Sequence, residues 1–114
     1  MLPLSAAEEK LTGYPPEILA AYKRLLADRR PGDLDEVVFG ILLFLLPERS
    51  DLKAGDLPEE TDLRGDLGVD SITIAEMVFL VEDLFELSIS NEDLAAVHTV
   101  ADLKALLHTR LELA

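Results

Sequence analysis

The stretch Asp66-Leu67-Gly68-Val69-Asp70-Ser71-Ile72 joins a polar loop to an apolar, periodic segment, and it decides how the chain is interpreted. It places one serine at the start of that segment, directly after an aspartate. The two histidines, His98 and His108, have no spacing that relates them to Ser71. Because a serine nucleophile needs a neighbouring base, the motif indicates a hydroxyl that receives a group.

The segment after Asp70 predicts a helix from about Ser71 to Glu86. At 100° per residue, its apolar stripe faces a core: Ile74, Met77, Val78, Val81 and Phe85. The opposite, outer face carries Ile72, Glu76, Phe79, Asp83 and Glu86, with Ala75 beside them. Acids alone would indicate a solvated face, but large apolar groups among exposed acids indicate a contact patch.

Two further helices are predicted upstream. Pro15-Pro16 opens a helix over about 16–29, whose apolar residues recur at helical spacing: Ile18, Leu19, Tyr22, Leu25 and Leu26. A second helix is predicted to start at Asp33, with Glu36 completing a capping box. It continues through Val37–Leu46, an uncharged run that is too short to span a bilayer and apolar all round. We therefore expect burial on more than one side, with Pro47 ending the helix.

The remainder of the chain predicts a long loop and two more helices. The loop over 47–69 is expected to be held to the core by its leucines, Leu52, Leu57, Leu63 and Leu67. Ser90 or Asn91 can cap a short helix that ends near Val97. Thr99 can cap a helix over about Val100 to Leu111, with Leu103, Leu106 and Leu107 buried. No strand or repeat is evident, so the fold class is all-α.

Composition limits the possible functions. The 114-residue chain has a net charge of −13, which argues against nucleic acid and anionic membranes and favours partners with basic surfaces. Residues 33–114 hold nineteen acids and five bases, which gives −14, whereas residues 1–32 are slightly basic. The absence of cysteine, the two histidines and the lack of calcium-loop spacing predict no metal site. Residues 1–7 lack the pattern of a signal peptide, and the absence of cysteine suits a reducing cytosol. We therefore expect a cytoplasmic protein without stable membrane insertion, and we also expect a monomer.

Three explanations compete for Ser71. A purely structural serine would cap the helix together with Asp70, which is common but leaves the outer face unexplained. A catalytic serine would need a base and an oxyanion site, and the sequence offers neither. A modified serine fits best, because a helix N-terminus accommodates an added phosphodiester.

The motif, followed by Glu76-Met77-Val78 and Val81-Glu82-Asp83-Leu84-Phe85, closely resembles an acyl carrier protein. The similarity includes Thr61-Asp62-Leu63 before the motif and His98-Thr99-Val100-Ala101-Asp102-Leu103 after it. It covers roughly residues 33–111 and implies a four-helix bundle.

The resemblance also implies a mechanism. A phosphopantetheinyl transferase would move 4′-phosphopantetheine from coenzyme A onto Ser71, helped by Asp70, and the thiol of this arm would hold an acyl group as a thioester. The protein would not be an enzyme, and it could shelter the acyl chain between its helices. Acyl-transferring, synthase or ligase enzymes with basic patches would dock on Ile72, Ala75, Glu76, Phe79 and Asp83.

The sequence departs from the fatty-acid carriers at Thr73 and Leu84, where an acid is usual or frequent. The resemblance implies that these changes leave the attachment site alone but alter the docking face. They favour a specialised carrier for lipid or polyketide synthesis over a housekeeping one. An aminoacyl or peptidyl carrier, of the peptide synthetase or D-alanyl transfer type, and an unmodified interaction module of the same fold are the alternatives. A small hydrolase that uses Ser71 is the least favoured, because a base is lacking.

Residues 1–32 depart further from the family pattern than Thr73 and Leu84 do. We expect them to form an N-terminal extension to a carrier domain over 33–114. Its helix at about 16–29 would cover the exposed side of Val37–Leu46, adding one helix to the bundle. In the alternative, that side would form a dimer or dock a dedicated enzyme.

Overall fold

The computed structural model describes residues 1–46, 52 and 56–112, and in these ranges the chain forms six helices and no strand. They are α1 (Leu4–Lys10), α2 (Pro16–Asp28), α3 (Pro31–Phe44), α4 (Ser71–Phe85), α5 (Asn91–Ala95) and α6 (Val100–Arg110). The predicted all-α class is confirmed. No described helix has the length and apolar character needed to cross a membrane.

The start of α3 differs from the prediction. The helix begins at Pro31, two residues before Asp33, and no side chain caps it. Proline suits the first turn of a helix, because the amide hydrogen that it lacks would have no partner there. The predicted capping box of Asp33 and Glu36 is therefore wrong. Both carboxylates bind Arg24 of α2 instead, at 3.1 and 2.6 Å.

The extension contains a helix that the sequence analysis did not predict. In α1, Ala7 is fully buried, and Leu11 directly after the helix is nearly so. The backbone amide of Leu2 donates to the carbonyl of Leu84 at 2.8 Å, which ties the start of the chain to the end of α4. The extension thus adds two helices to the bundle rather than one.

Most of the large apolar residues of α3 are buried, although Phe44 at its end is 46% exposed. Its buried residues are Leu34, Val37, Val38, Phe39, Ile41, Leu42 and Leu43. The packing of α2 against it buries Ile18, Tyr22 and Leu25. Gly40 permits the close approach, because a Cβ atom at this position would lie only 3.0 Å from Cγ1 of Ile18.

The loop before α4 is held in place by an isolated antiparallel bridge between Asp62 and Thr99. The amide of Leu63 donates to the backbone carbonyl of His98 at 2.9 Å, and the amide of Val100 donates to the backbone carbonyl of Thr61 at 3.0 Å. Of the predicted anchors, Leu57, Leu63 and Leu67 are buried and Leu52 is half-buried. Pro47 and the rest of 47–51 and 53–55 lie outside the described residues. The bridge fixes the stretch that leads to Ser71.

The last two helices begin with capping boxes. Ser90 caps α5 and Thr99 caps α6, and in each case the acid three residues later binds back to the cap residue. In α6, Leu103 and Leu107 are buried, whereas Leu106 is only half-buried. These two caps determine where α5 and α6 start beside α4.

Candidate functional site

Ser71 is the first residue of α4 and its side chain is exposed. Asp70 is the N-cap residue, and its carboxylate accepts a hydrogen bond from the amide of Thr73 at 2.8 Å. This bond is the main cause of the lowered pKa of Asp70. The carboxylate next to Ser71 is therefore ionised at neutral pH.

The preceding turn orients the serine outward. Gly68 has a φ of +73°, a conformation that favours glycine. Val69 is buried, and its amide donates to the carbonyl of Leu63 at 3.0 Å. Neighbouring residues of the motif therefore have different structural roles. Val69 anchors the turn, Asp70 caps the helix and Ser71 is presented to solvent.

A cavity of about 270 Å³ lies between α4 and α5, with Ser71 at its border. Six of its other eight lining residues are apolar, namely Ile74, Ala75, Val78, Phe79, Ile89 and Leu94, and the polar two are Glu82 and Asn91. The carboxylate of Glu82 accepts from the amide of Ile89 at 2.9 Å, which holds the α4–α5 connection against α4. An apolar chain attached near Ser71 thus has an apolar space beside it.

The outer face of α4, defined by Ile72, Ala75, Glu76, Phe79, Asp83 and Glu86, is largely open to solvent. The residues Ile72 and Phe79 are 69% and 67% exposed, which is unusual for side chains of this size. The three acids are exposed as well, whereas Ala75 is half-buried and also lines the cavity. The five residues predicted to dock partners therefore lie along one side of the helix that begins with Ser71.

Leu84 does not belong to this outer face. It is fully buried, and the Tyr22 hydroxyl lies 3.2 Å from its carbonyl oxygen. The expectation that Leu84 alters the docking face is wrong, because its side chain points into the core with Met77 and Val81.

The histidines and acids form no second site in the described ranges. His108 lies 2.8 Å from Asp35 of α3, and Asp35 is also 3.9 Å from Lys104. His98 is exposed. No group of three or more potential metal ligands occurs within the described residues.

The region around Ser71 matches a known family. The sequence profile described as "Phosphopantetheine attachment site" matches residues 42–107, more than half of the chain. The chain belongs to the acyl carrier protein family. It is also 38% identical, over 56 residues, to the protein named acyl carrier protein from Exiguobacterium sp. (strain ATCC BAA-1283 / AT1b). That similarity covers 49% of this chain and 71% of the relative.

Membership in this family makes the protein a carrier and not an enzyme, with phosphopantetheine as its cofactor. It also implies a phosphopantetheinyl transferase and partner enzymes. The exposed hydroxyl of Ser71 and the neighbouring apolar cavity fit this group. When attached, phosphopantetheine supplies a thiol that holds an acyl group as a thioester.

Sequence reasoning did not identify the α5 side of the cavity, formed by Ile89, Asn91 and Leu94. The only available signal was the apolar character of Ile89 and Leu94 around the Ser90 cap. That signal places them near a core but does not say which helix they face.

Proposed function

We propose that Ser71 is the attachment residue and that this carrier delivers acyl intermediates to enzymes of a specialised lipid, fatty-acid or polyketide pathway. The observation that carries this proposal is the position of Ser71. Its side chain is exposed, it opens α4, and it borders the apolar cavity.

Other serines in the matched region are less suitable. The hydroxyl of Ser90 accepts a hydrogen bond from the amide of Asp93 at 3.0 Å and is therefore occupied in capping α5. Ser88 is exposed but does not line the cavity. Among the described serines of residues 42–107, Ser71 alone combines exposure with a place beside the cavity.

Asp70 supports the modification in this proposal. Its low pKa keeps a negative charge beside the Ser71 hydroxyl, where a cation-dependent transferase can use it. The first turn of α4 also offers free backbone amides, which favour the negative charge of an attached phosphodiester. The site therefore combines an accessible hydroxyl with an electrostatic environment suited to the product.

Partner enzymes dock on the outer face of α4, through Ile72, Ala75, Glu76, Phe79 and Asp83. The exposed apolar pair gives contact area, while the acids attract basic patches. Docking of this kind is fast and sensitive to salt. A carrier that visits several enzymes requires such short-lived complexes.

The chain divides, in this proposal, into an extension over 1–32 and a carrier domain over 33–114. The family match begins only at residue 42, after α1 and α2. Because α2 packs closely against α3 at Gly40 and the apolar residues from Leu34 to Leu43 are buried, little of α3 is left for self-association. We therefore infer a monomer.

Incubation with coenzyme A and a broad-specificity phosphopantetheinyl transferase tests the attachment site. Intact mass should show one added phosphopantetheine on the natural chain and none on Ser71→Ala. Ser88→Ala is the matched control and should be modified normally, since Ser88 is also exposed but lies away from the cavity. An unmodified natural chain, or equal modification of Ser71→Ala, would refute the assignment.

A further inference from the structure

The N-terminal extension follows the outer face of α4. Nζ of Lys10, at the end of α1, lies 3.3 Å from Oδ2 of Asp83. Closer to the end of α4, the amide of Leu2 donates to the carbonyl of Leu84. Asp83, in the C-terminal half of the outer face, is thus in contact with a residue that precedes the carrier domain.

A second contact joins the extension to α3. The ring of Tyr14 packs against Phe44 of α3, with centroids 4.9 Å apart and planes tilted by 49°. Burial raises the pKa of Tyr14, and the negative charge of Glu76 raises it further. The ring contact with Phe44 therefore places the segment between α1 and α2 against α3.

The contact between Lys10 and Asp83 is exposed enough for a partner to replace it. The side chains of Lys10 and Asp83 are 49% and 55% exposed. Exposed ion pairs add little to stability, so this pair is not needed to hold α1 in place. It does, however, engage one of the acids that would attract a basic partner.

The outer face is consequently divided into two parts. Near Ser71, Ile72 and Phe79 are open, with Glu76 between them along the helix. Asp83 lies twelve residues after Ser71, about 18 Å along the helix, and its carboxylate already has a cation beside it. A partner that relies on a cation opposite Asp83 must first displace Lys10.

We propose that Lys10 is a specificity-determining residue that holds Asp83 and lowers the affinity of partners that bind this acid. The favoured partner is a protein with an apolar pocket for Phe79 and a cation opposite Glu76. Partners with an extended basic strip that reaches Asp83 are disfavoured. This inference rests on the proposed function of the outer face as the docking surface.

Binding of a broad-specificity phosphopantetheinyl transferase, chosen with basic residues along its docking surface, tests the inference. The dissociation constant is measured by titration calorimetry in the Ser71→Ala background, where no transfer occurs. Adding Lys10→Ala should tighten binding about two- to five-fold at low salt, and the gain should shrink as salt rises. Lys23→Ala, which removes one exposed lysine from α2, is the matched control for net charge.

A double-mutant cycle identifies the acid involved. In an Asp83→Asn background, Lys10→Ala should no longer tighten binding. Unchanged or weaker binding with Lys10→Ala, an equal gain with Lys23→Ala, or a gain that persists in Asp83→Asn would each overturn the inference. Thermal unfolding of Lys10→Ala should match that of the natural chain.

Loading of the natural chain separates the two proposals. Modification at Ser71 without an effect of Lys10 overturns only the role of Lys10. If Lys10→Ala binds the transferase more tightly but the natural chain is never modified, only the attachment site is overturned. Absence of any binding by the transferase overturns both.

Discussion

Helices α3 and α4 are both rich in large apolar residues, but their surroundings differ. Of the large apolar residues on α3, all those from Leu34 to Leu43 are buried and only Phe44 is exposed, and α2 packs closely against this helix at Gly40. On α4, Ile72 and Phe79 remain more than two-thirds exposed. The same kind of side chain therefore maintains the fold on one helix and remains available for recognition on the other.

This difference separates stability from docking within one small protein. The extension packs apolar residues on α3 and, through Tyr22, on Phe85 of the buried side of α4. Its contact with the outer face of α4 is the exposed ion pair of Lys10 and Asp83. Changes on the α2–α3 side should thus affect folding. Changes on the outer face of α4 should affect partners and leave folding nearly intact.

Truncating one residue on each side gives the largest expected contrast. Leu25 of α2 is fully buried, so Leu25→Ala should lower the free energy of unfolding by about 2–5 kcal/mol. Phe79→Ala removes a larger but exposed side chain and should change the free energy of unfolding by no more than about 0.5 kcal/mol. Urea denaturation measures both. A stability loss for Phe79→Ala equal to that for Leu25→Ala would erase the distinction between the two helices.

The closeness of α2 and α3 can be tested at Gly40. Gly40→Leu forces a side chain into the space held by Ile18 and should destabilise the protein by about 1–3 kcal/mol. Gly32→Leu is the matched control, since a Cβ at Gly32 meets no atom within 4 Å. Thermal unfolding should separate the two variants. Equal melting temperatures would show that α2 is not packed tightly against α3.

Tyr22 gives a smaller effect that depends on pH. Burial, and secondarily the charge of Glu86, raise the pKa of Tyr22 to about 12, against about 10 in an unfolded chain. The folded state therefore favours the neutral phenol. Its contribution to stability is complete below pH 10 and is lost as the pH rises from about 10 to 12.

The Tyr22→Phe variant isolates this contribution. At neutral pH it should lose about 0.5–1.5 kcal/mol, because the hydroxyl lies 2.5 Å from the carbonyl of Leu2 and 3.2 Å from that of Leu84. As the pH rises above 10, the natural chain should lose its advantage over the variant. Free energies of unfolding measured from pH 8 to 11.5 check this. Parallel curves would mean that Tyr22 titrates normally in the folded protein.

Much of the architecture follows from local sequence signals. Periodicity and caps predict α4, α5 and α6, because Asp70, Ser90 and Thr99 each bind the backbone of the helix that they precede. The start of α3 is mispredicted because Asp33 and Glu36 have the spacing of a capping box. Pro31 starts the helix earlier, and Arg24, a residue distant in sequence from these acids, binds both carboxylates.

The remaining features depend on tertiary packing. The helix α1 has only seven residues and no side-chain cap, so its formation depends on the burial of Ala7 against the bundle. Leu84 was assigned to the outer face by family resemblance. Its angular position is only about 20° from that of Met77, which belongs to the core stripe. The cavity beside Ser71 requires the placement of α5 against α4, which no local pattern specifies.

The carbonyl of Leu84 gives the extension another role. The last carbonyls of a helix have no partner within that helix, and that of Leu84 accepts the amide of Leu2 and lies beside the Tyr22 hydroxyl. Residues more than sixty positions away in sequence thus complete the C-terminal end of α4. Transplanting α4 into another carrier would therefore transfer its surface but leave that terminus without its natural closure.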